Sequence, residues 1–252
     1  MSPDLLSYGA ELGDRFVAVL GTPDWITADD LFGAQLGVAL TAVGRRRGTT
    51  SPAVAGALLF EQYAQRLLAP VLAALFRDNA VVDVEPGLVR AEFVDGALHR
   101  LAFTTPAHRA DGAEERVARN VVEDHLYAMA EAVHGHTRVG TRVLRGSVAN
   151  AIGNTLLHLS WPEPVRDRYV PESRRFLARL PGLAELVNVE SVHVAGEPWM
   201  YTDRNTCCLA FRTTTNQSRD QPYCATCPLT PRAATRALYT EATASYAARH
   251  PR

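Results

Sequence analysis

Residues 79–104 read NAVVDVEPGLVRAEFVDGALHRLAFT. Three short runs with β character stand out: Val81, Val82 and Val84, then Val89, Ala91 and Phe93, then Leu98, Leu101 and Phe103. Turn signals at Glu85-Pro86-Gly87 and Asp95-Gly96 separate them, and an aspartate–glycine pair suits a tight hairpin. The stretch predicts a small antiparallel meander over residues 80–104. Helical patterns flank it on both sides, so the chain reads as α+β and mostly helical, without regular βαβ alternation.

On the N-terminal side, Thr27 with Asp30 three residues later has the form of a capping box. It opens a helical segment that runs to about Gly44 and stops at Arg45-Arg46-Arg47-Gly48. Ser51-Pro52 then supplies an N-cap with proline at the first helical position. Leu58, Leu59, Tyr63, Leu67, Leu68, Val71, Leu72 and Leu75 follow at helical spacing, with Pro70 expected to kink or divide the helix.

Beyond the meander, Asp111 and Glu114 form another capping-box-like pair. Val117, Val121, His125, Met129 and Val133 recur every four residues and define a buried stripe. A helix over about 138–159 carries Leu144, Val148, Ile152 and Leu156 on one face. Ser147, Asn150, Asn154 and His158 share another face, expected to meet solvent and able to hydrogen-bond a polar ligand. His134-Gly135-His136 falls at a helix end, where a terminal cap interaction is expected rather than metal binding. Residues 166–187 look helical, broken near Pro171 and Pro181. Val189–Val194 suits a strand, and Thr230-Pro231 begins a last helix toward Arg249.

The chain of 252 residues is 47% hydrophobic and 21% charged, enough to bury a real core. Its formal net charge of −1 offers no electrostatic case for nucleic acid as a partner. All basic residues are arginine, so lysine Schiff-base and P-loop chemistry are unavailable. Asp4, Glu11 and Asp14 stand where a signal peptide would need a basic start and an apolar run, and no integral membrane segment is expected. The cytoplasm is the expected location.

The chain has four cysteines, Cys207, Cys208, Cys224 and Cys227, all in one segment. A disulfide framework would spread them through the fold. A Cys-x-x-Cys turn such as Cys224–Cys227 presents two thiolates toward one metal. Four thiolates satisfy either a tetrahedral zinc or the two irons of a [2Fe–2S] cluster. Side chains of neighbouring residues in an extended chain diverge. Cys207 and Cys208 therefore need a bent backbone to chelate one small ion, whereas a two-iron cluster is a larger target. The expectation is a [2Fe–2S] cluster, with Cys224 and Cys227 on one iron and Cys207 and Cys208 on the other. A structural zinc site, a redox dithiol and buried thiols are the alternatives.

The pattern Cys207-Cys208 … Cys224-x-x-Cys227 resembles the C-terminal cluster-binding region of the FhuF-like ferric-siderophore reductases. Arg204, Thr206 and Leu209-Ala210-Phe211-Arg212 share in the resemblance, as does the upstream stretch Leu144-Arg145-Gly146-Ser147-Val148-Ala149-Asn150. Fifteen residues separate the pairs here, a longer spacer than the family's, and an added loop over 213–221 is expected at a surface turn. The resemblance implies residues 1–200 as an α+β substrate-binding core and residues 201–252 as a [2Fe–2S] segment with a helix, packed as one unit. It implies a ferric siderophore of hydroxamate or catecholate class as substrate, and a ferredoxin-like or reductase electron donor. An Fe–S carrier or redox sensor and a zinc-stabilised interaction module are the other readings.

Arg204, Arg212 and Arg219 flank the cysteines, where positive charge favours a reduced cluster and suits an acidic donor or an anionic chelate, although solvated loop arginines are the plainer expectation for each. Thr206 and nearby backbone amides are candidate donors to sulfur. Trp199 and Tyr201 precede the segment; packing against the core is the expectation for both, and walling a recess is the alternative.

Overall fold

The computed structural model describes residues 12–13 and 16–250; Asp4, Glu11 and Asp14 lie outside the described residues. In chain order, Ala18–Leu20 (β1) and Ile26–Thr27 (β2) precede three helices, Ala28–Phe32 (α1), Leu36–Arg47 (α2) and Pro52–Asp78 (α3). Four strands follow: Ala80–Val81 (β3), Val89–Val94 (β4), Ala97–Phe103 (β5) and His108–Arg109 (β6). One turn of helix at Ala113–Arg116 (α4) leads into a π-helical stretch, Val117–Tyr127, and then into Ala128–Thr137 (α5). Thr141–Ser160 (α6) and Tyr169–Arg179 (α7) lead to the hairpin Val187–Val194 (β7) and Glu197–Arg204 (β8). A short helix, Thr214–Gln217 (α8), lies between the cysteine pairs, and Arg232–Arg249 (α9) ends the described chain. The fold is α+β.

Local sequence explains the helix ends. Thr27 accepts from the Asp30 amide and Ser51 from the Val54 amide, as N-caps do. The Thr27 start leads only to Phe32, and the segment to Arg47 begins afresh at Leu36. α3 closes on Asn79 in the left-handed conformation, φ 51°. Of the kink or division expected at Pro70, the division does not occur: α3 is a single helix through Pro70. Ala69, Pro70 and Val71 are buried in the core, and packing on all sides outweighs the roughly 3 kcal/mol that proline costs a helix interior.

The meander expected over 80–104 is corrected. β4 and β5 form its hairpin, closed by Asp95 (φ 49°) and Gly96 (φ 75°), with Val89 opposite Phe103. The first run does not join them. β3 pairs with β6 instead, and the four-stranded sheet has the order β1-β5-β4-β2, with β1 parallel to β5. Val82 and Val84 are buried, and the Val84 carbonyl accepts from Nδ1 of His125. That tertiary bond uses a carbonyl that a third meander strand would have offered to the ladder.

The expected Asp111–Glu114 cap is also corrected. The N-cap position is Gly112 with no side-chain bond, and Glu114 pairs instead with Arg175 (3.2 Å) and Arg179 (2.9 Å) of α7. The stripe from Val117 to Val133 is buried as its spacing implied. A strict four-residue repeat drifts about 40° per step on an ideal α-helix. The wider i→i+5 turn of the π-helical stretch absorbs part of that drift.

The core centres on α3 against α6, with α2, α5 and the sheet around them. α3 is apolar on nearly every side, as a fully enclosed helix must be. The face of α6 expected to meet solvent does not. Ser147 and Asn150 are buried, and Asn154 accepts from the Thr202 hydroxyl of β8 at 3.5 Å. This polar face is the one that receives β8 and the carboxylate of Glu61.

α7 passes through Pro171 without a break, because proline in a first helical turn lacks only an amide that has no helical partner there. β8 is a strand the sequence reading did not anticipate. No helix among the described residues is long and apolar enough to cross a membrane.

Candidate metal centre

The parity of β8 decides which side chains reach the cysteine segment. Successive strand residues point to opposite faces. Trp199, Tyr201 and Asp203 face α9: Trp199 packs with Trp161 and Tyr246, the Tyr201 hydroxyl meets Thr235 at 3.1 Å, and Asp203 pairs with Arg232 at 3.5 Å. Met200, Thr202 and Arg204 face the other way, toward the core and α6. Trp199 therefore belongs to an aromatic cluster, with the Arg166 guanidinium over its ring at 4.0 Å, and does not wall a recess beside the cysteines.

Arg204 ends the strand buried, and its Nη1 lies 2.7 Å from Oε1 of Glu61 in the third turn of α3. Its Nε donates to the Thr206 carbonyl at 2.6 Å, which turns the chain into the cysteine pair. Ser147 of α6 donates to the second Glu61 oxygen at 3.4 Å. Thr206 is seated against Gly146, where a Cβ would stand only 1.8 Å from its hydroxyl oxygen. Gly146 is thus fixed by close approach, not by helix propensity.

The four cysteines are free thiols, Cys208 and Cys227 buried, Cys207 half-buried and Cys224 exposed. The Cys208 sulfur accepts from both the Cys207 and the Cys224 side chains and from the Ala210 amide. Those bonds, with Arg204 nearby, hold Cys208 far below the ordinary thiol range, while the same bonds push Cys207 and Cys224 up. The Leu209 amide donates to Cys207 Sγ at 3.3 Å. Leu209 adopts φ 65°, an unfavourable conformation for a branched residue, and in this turn two successive amides serve the sulfurs. Cys224 and Cys227 form a tight turn, with the Cys227 amide bonded to the Cys224 carbonyl at 3.0 Å. Among the described residues, no three His, Cys, Asp or Glu side chains are gathered as the ligands of a single ion would be.

The surrounding charge is positive. Burial opposes the Arg204 cation, but Glu61 and the sulfurs of Cys208 and Cys224 outweigh it and hold the group above its ordinary value. Burial pushes Glu61 up to about 7, and the nearby Cys208 sulfur adds to the rise that Arg204 opposes. Both groups rise: Arg204 because its several anionic neighbours outweigh burial, Glu61 because burial outweighs its one cationic neighbour. Arg47, at the end of α2, lies within electrostatic reach of Cys208 and Arg219. Arg212 stacks over Phe211 at 5.5 Å and, like Arg219, is exposed.

Three buried donors of this neighbourhood have no hydrogen-bond partner: Arg204 Nη2, Thr206 Oγ1 and Arg47 Nε. Buried donors are rarely left unmade, since each costs about 1–3 kcal/mol. Thiolate and sulfide sulfurs are acceptors that would satisfy them, so the donor set fits an anionic sulfur cluster.

The spacer is more than a surface loop. Thr213 is fully buried and caps α8, the Thr214 amide donates to the Gly48 carbonyl at 3.1 Å, and Thr215 donates to the Arg47 carbonyl at 3.0 Å. Residues 217–221 form a continuous exposed run, as expected of an added turn.

Glu61 was not singled out by the sequence, whereas Gly146 and Ser147 lie in the stretch that shares the resemblance, with Ser147 expected on a solvent-facing polar stripe. Glu61 did leave a signal, a carboxylate directly after the apolar run Ala53–Phe60 in a helix enclosed on all sides. Compared with protein-family models and with curated protein sequences, the chain matches none.

Proposed function

We propose that the chain is a ferric-siderophore reductase whose [2Fe–2S] cluster is held by Cys207, Cys208, Cys224 and Cys227. The observation that carries this reading is the buried Arg204 guanidinium, in the field of Cys208 and Cys224, with Nη2 left without a partner. When bound, the cluster supplies single electrons, taken from a ferredoxin-like or reductase donor, to Fe(III) in an oxygen-ligated chelate. Such chelates hold Fe(II) far more weakly, so one electron suffices for release.

The chain's own residues set the conditions. Arg204 and the Leu209 and Ala210 amides withdraw negative charge from the sulfurs, which favours the reduced state. Glu61 and Ser147 fix Arg204 in one orientation. Cys224 is exposed and gives electrons a short path to the surface, and Arg212 and Arg219, exposed in the spacer that precedes it, suit the docking of an acidic donor. This reading goes with a cytoplasmic location, where thiols stay reduced.

The test begins with the spectrum of purified protein. A red-brown colour that bleaches on reduction supports the cluster, and a colourless, zinc-loaded protein overturns it. Reduced protein is then mixed with ferric hydroxamate and catecholate chelates and a ferrous trap. Ferrous iron from at least one class supports the reductase; none from either class leaves an electron carrier or sensor.

A further inference from the structure

A recess of about 540 Å³ lies between α2, the start of α3 and the end of α5, a volume within the range of small-molecule sites. Leu40 and Ala55 give it an apolar floor. Thr49, Ser51, Arg45 and His136 supply its polar groups, and none of its eleven lining residues is acidic. The hydroxyl oxygens of Thr49 and Ser51 already accept from the Ser51 and Val54 amides, so their O–H groups are free to donate. Arg45 and His136 have no hydrogen-bond or ion-pair partner among the described residues. The N-terminus of α3, a helix of 27 residues, adds the positive end of its dipole. Cationic and donor groups over an apolar floor describe a site for an anion with a hydrophobic body.

Its position connects it to the cysteines. The loop that lines it, Thr49–Ser51, adjoins Arg47 and Gly48, the residues on which α8 of the cysteine segment is docked. Arg47 lies between the two, within electrostatic reach of Cys208. Along α3, Ala55 on the floor is about 9 Å from Glu61, which meets Arg204 and the Cys208 sulfur. The His134-Gly135-His136 motif divides accordingly: His134 bonds the Val139 carbonyl at 2.7 Å, and His136 faces the recess.

We infer that this recess is the chelate subsite and that it selects strongly anionic, catecholate-type ferric complexes over neutral trihydroxamate complexes. The inference rests on the reductase reading, but binding can be measured apart from it. Gallium(III) matches the size and charge of iron(III) and is not reduced. Gallium complexes of a hexadentate tris-catecholate and of a hexadentate trihydroxamate are titrated calorimetrically into the full chain. The catecholate complex should bind about tenfold more tightly or better, and Arg45→Glu should remove about that factor for it alone. Thr50→Trp, which fills the mouth from an exposed position, should abolish binding of both, with melting temperature and cluster absorbance unchanged. Equal affinity for the two complexes, or affinity indifferent to both variants, overturns the subsite. Gallium–catecholate binding without ferrous production from either class of iron complex supports the subsite and overturns the reductase reading. Ferrous production indifferent to both variants overturns the subsite alone.

Discussion

The Glu61 carboxylate lies 2.7 Å from the Arg204 guanidinium, although 143 positions separate them in the chain. Both are nearly inaccessible, so the pair joins the long apolar helix α3 to the residue that leads into the cysteines. Breaking a buried ion pair leaves an uncompensated charge in low dielectric. Glu61→Ala is expected to cost about 3–5 kcal/mol in urea denaturation. In a double-mutant cycle with Arg204→Gln, Glu61→Gln should show a coupling of at least about 1 kcal/mol. Additive single effects would mean that the pair does not clamp the segment.

A second prediction concerns pH. His125 is buried between Tyr63, whose hydroxyl lies 2.8 Å from Nε2, and the Val84 carbonyl, and burial lowers it from 6.5 to about 4. Below pH 6.5 the unfolded chain takes up a proton that the folded chain refuses. Stability from this group is therefore complete above about pH 6.5 and is lost as pH falls toward 4, by up to about 3 kcal/mol. Denaturation of the wild type and of His125→Gln across this window should show the extra acid sensitivity only in the wild type.

Gly146 gives a third. A methyl group there would stand 1.8 Å from Thr206 Oγ1 and 2.6 Å from its Cβ, so α6 or the strand end has to move. Gly146→Ala should destabilise by about 1–3 kcal/mol, the cost of overpacking, despite raising helix propensity. Thr206→Gly in the same chain should recover most of the melting temperature. No recovery would place the strain elsewhere.

The cysteines give a fourth. Cys224 is the exposed member of the four, while the core is built upstream of Cys207. Cys224→Ser should abolish stable metal loading, read as iron and sulfide per chain, and leave far-ultraviolet ellipticity nearly unchanged. Global unfolding of this variant would show the metal site to be structural.

Local chemistry made much of this fold legible. The Ser51-Pro52 start of α3, the Asp95-Gly96 hairpin and the buried stripe from Val117 to Val133 each depend on neighbours a few residues away. The errors share another origin. The first meander run failed because Ala80 and Val81 pair with β6 while His125 holds the Val84 carbonyl. The polar face of α6 was read as solvated because nothing local indicates that β8 and Glu61 cover it. For Trp199 the choice between packing and a recess wall fell to strand parity, which sends it to α9 while Arg204, five residues on, turns inward.

The four cysteines, confined to one segment, raised the candidate chemistry from sequence alone, since thiol type and spacing are local properties. The sequence also determined the helical start and stop signals and the α+β class. Tertiary structure alone decided what surrounds the sulfurs: Glu61 behind Arg204, Gly146 beneath Thr206, and the spacer docked on Arg47 and Gly48. The physical reason is that a buried charge or an overly close approach is paired by packing across the fold, where sequence distance carries no information.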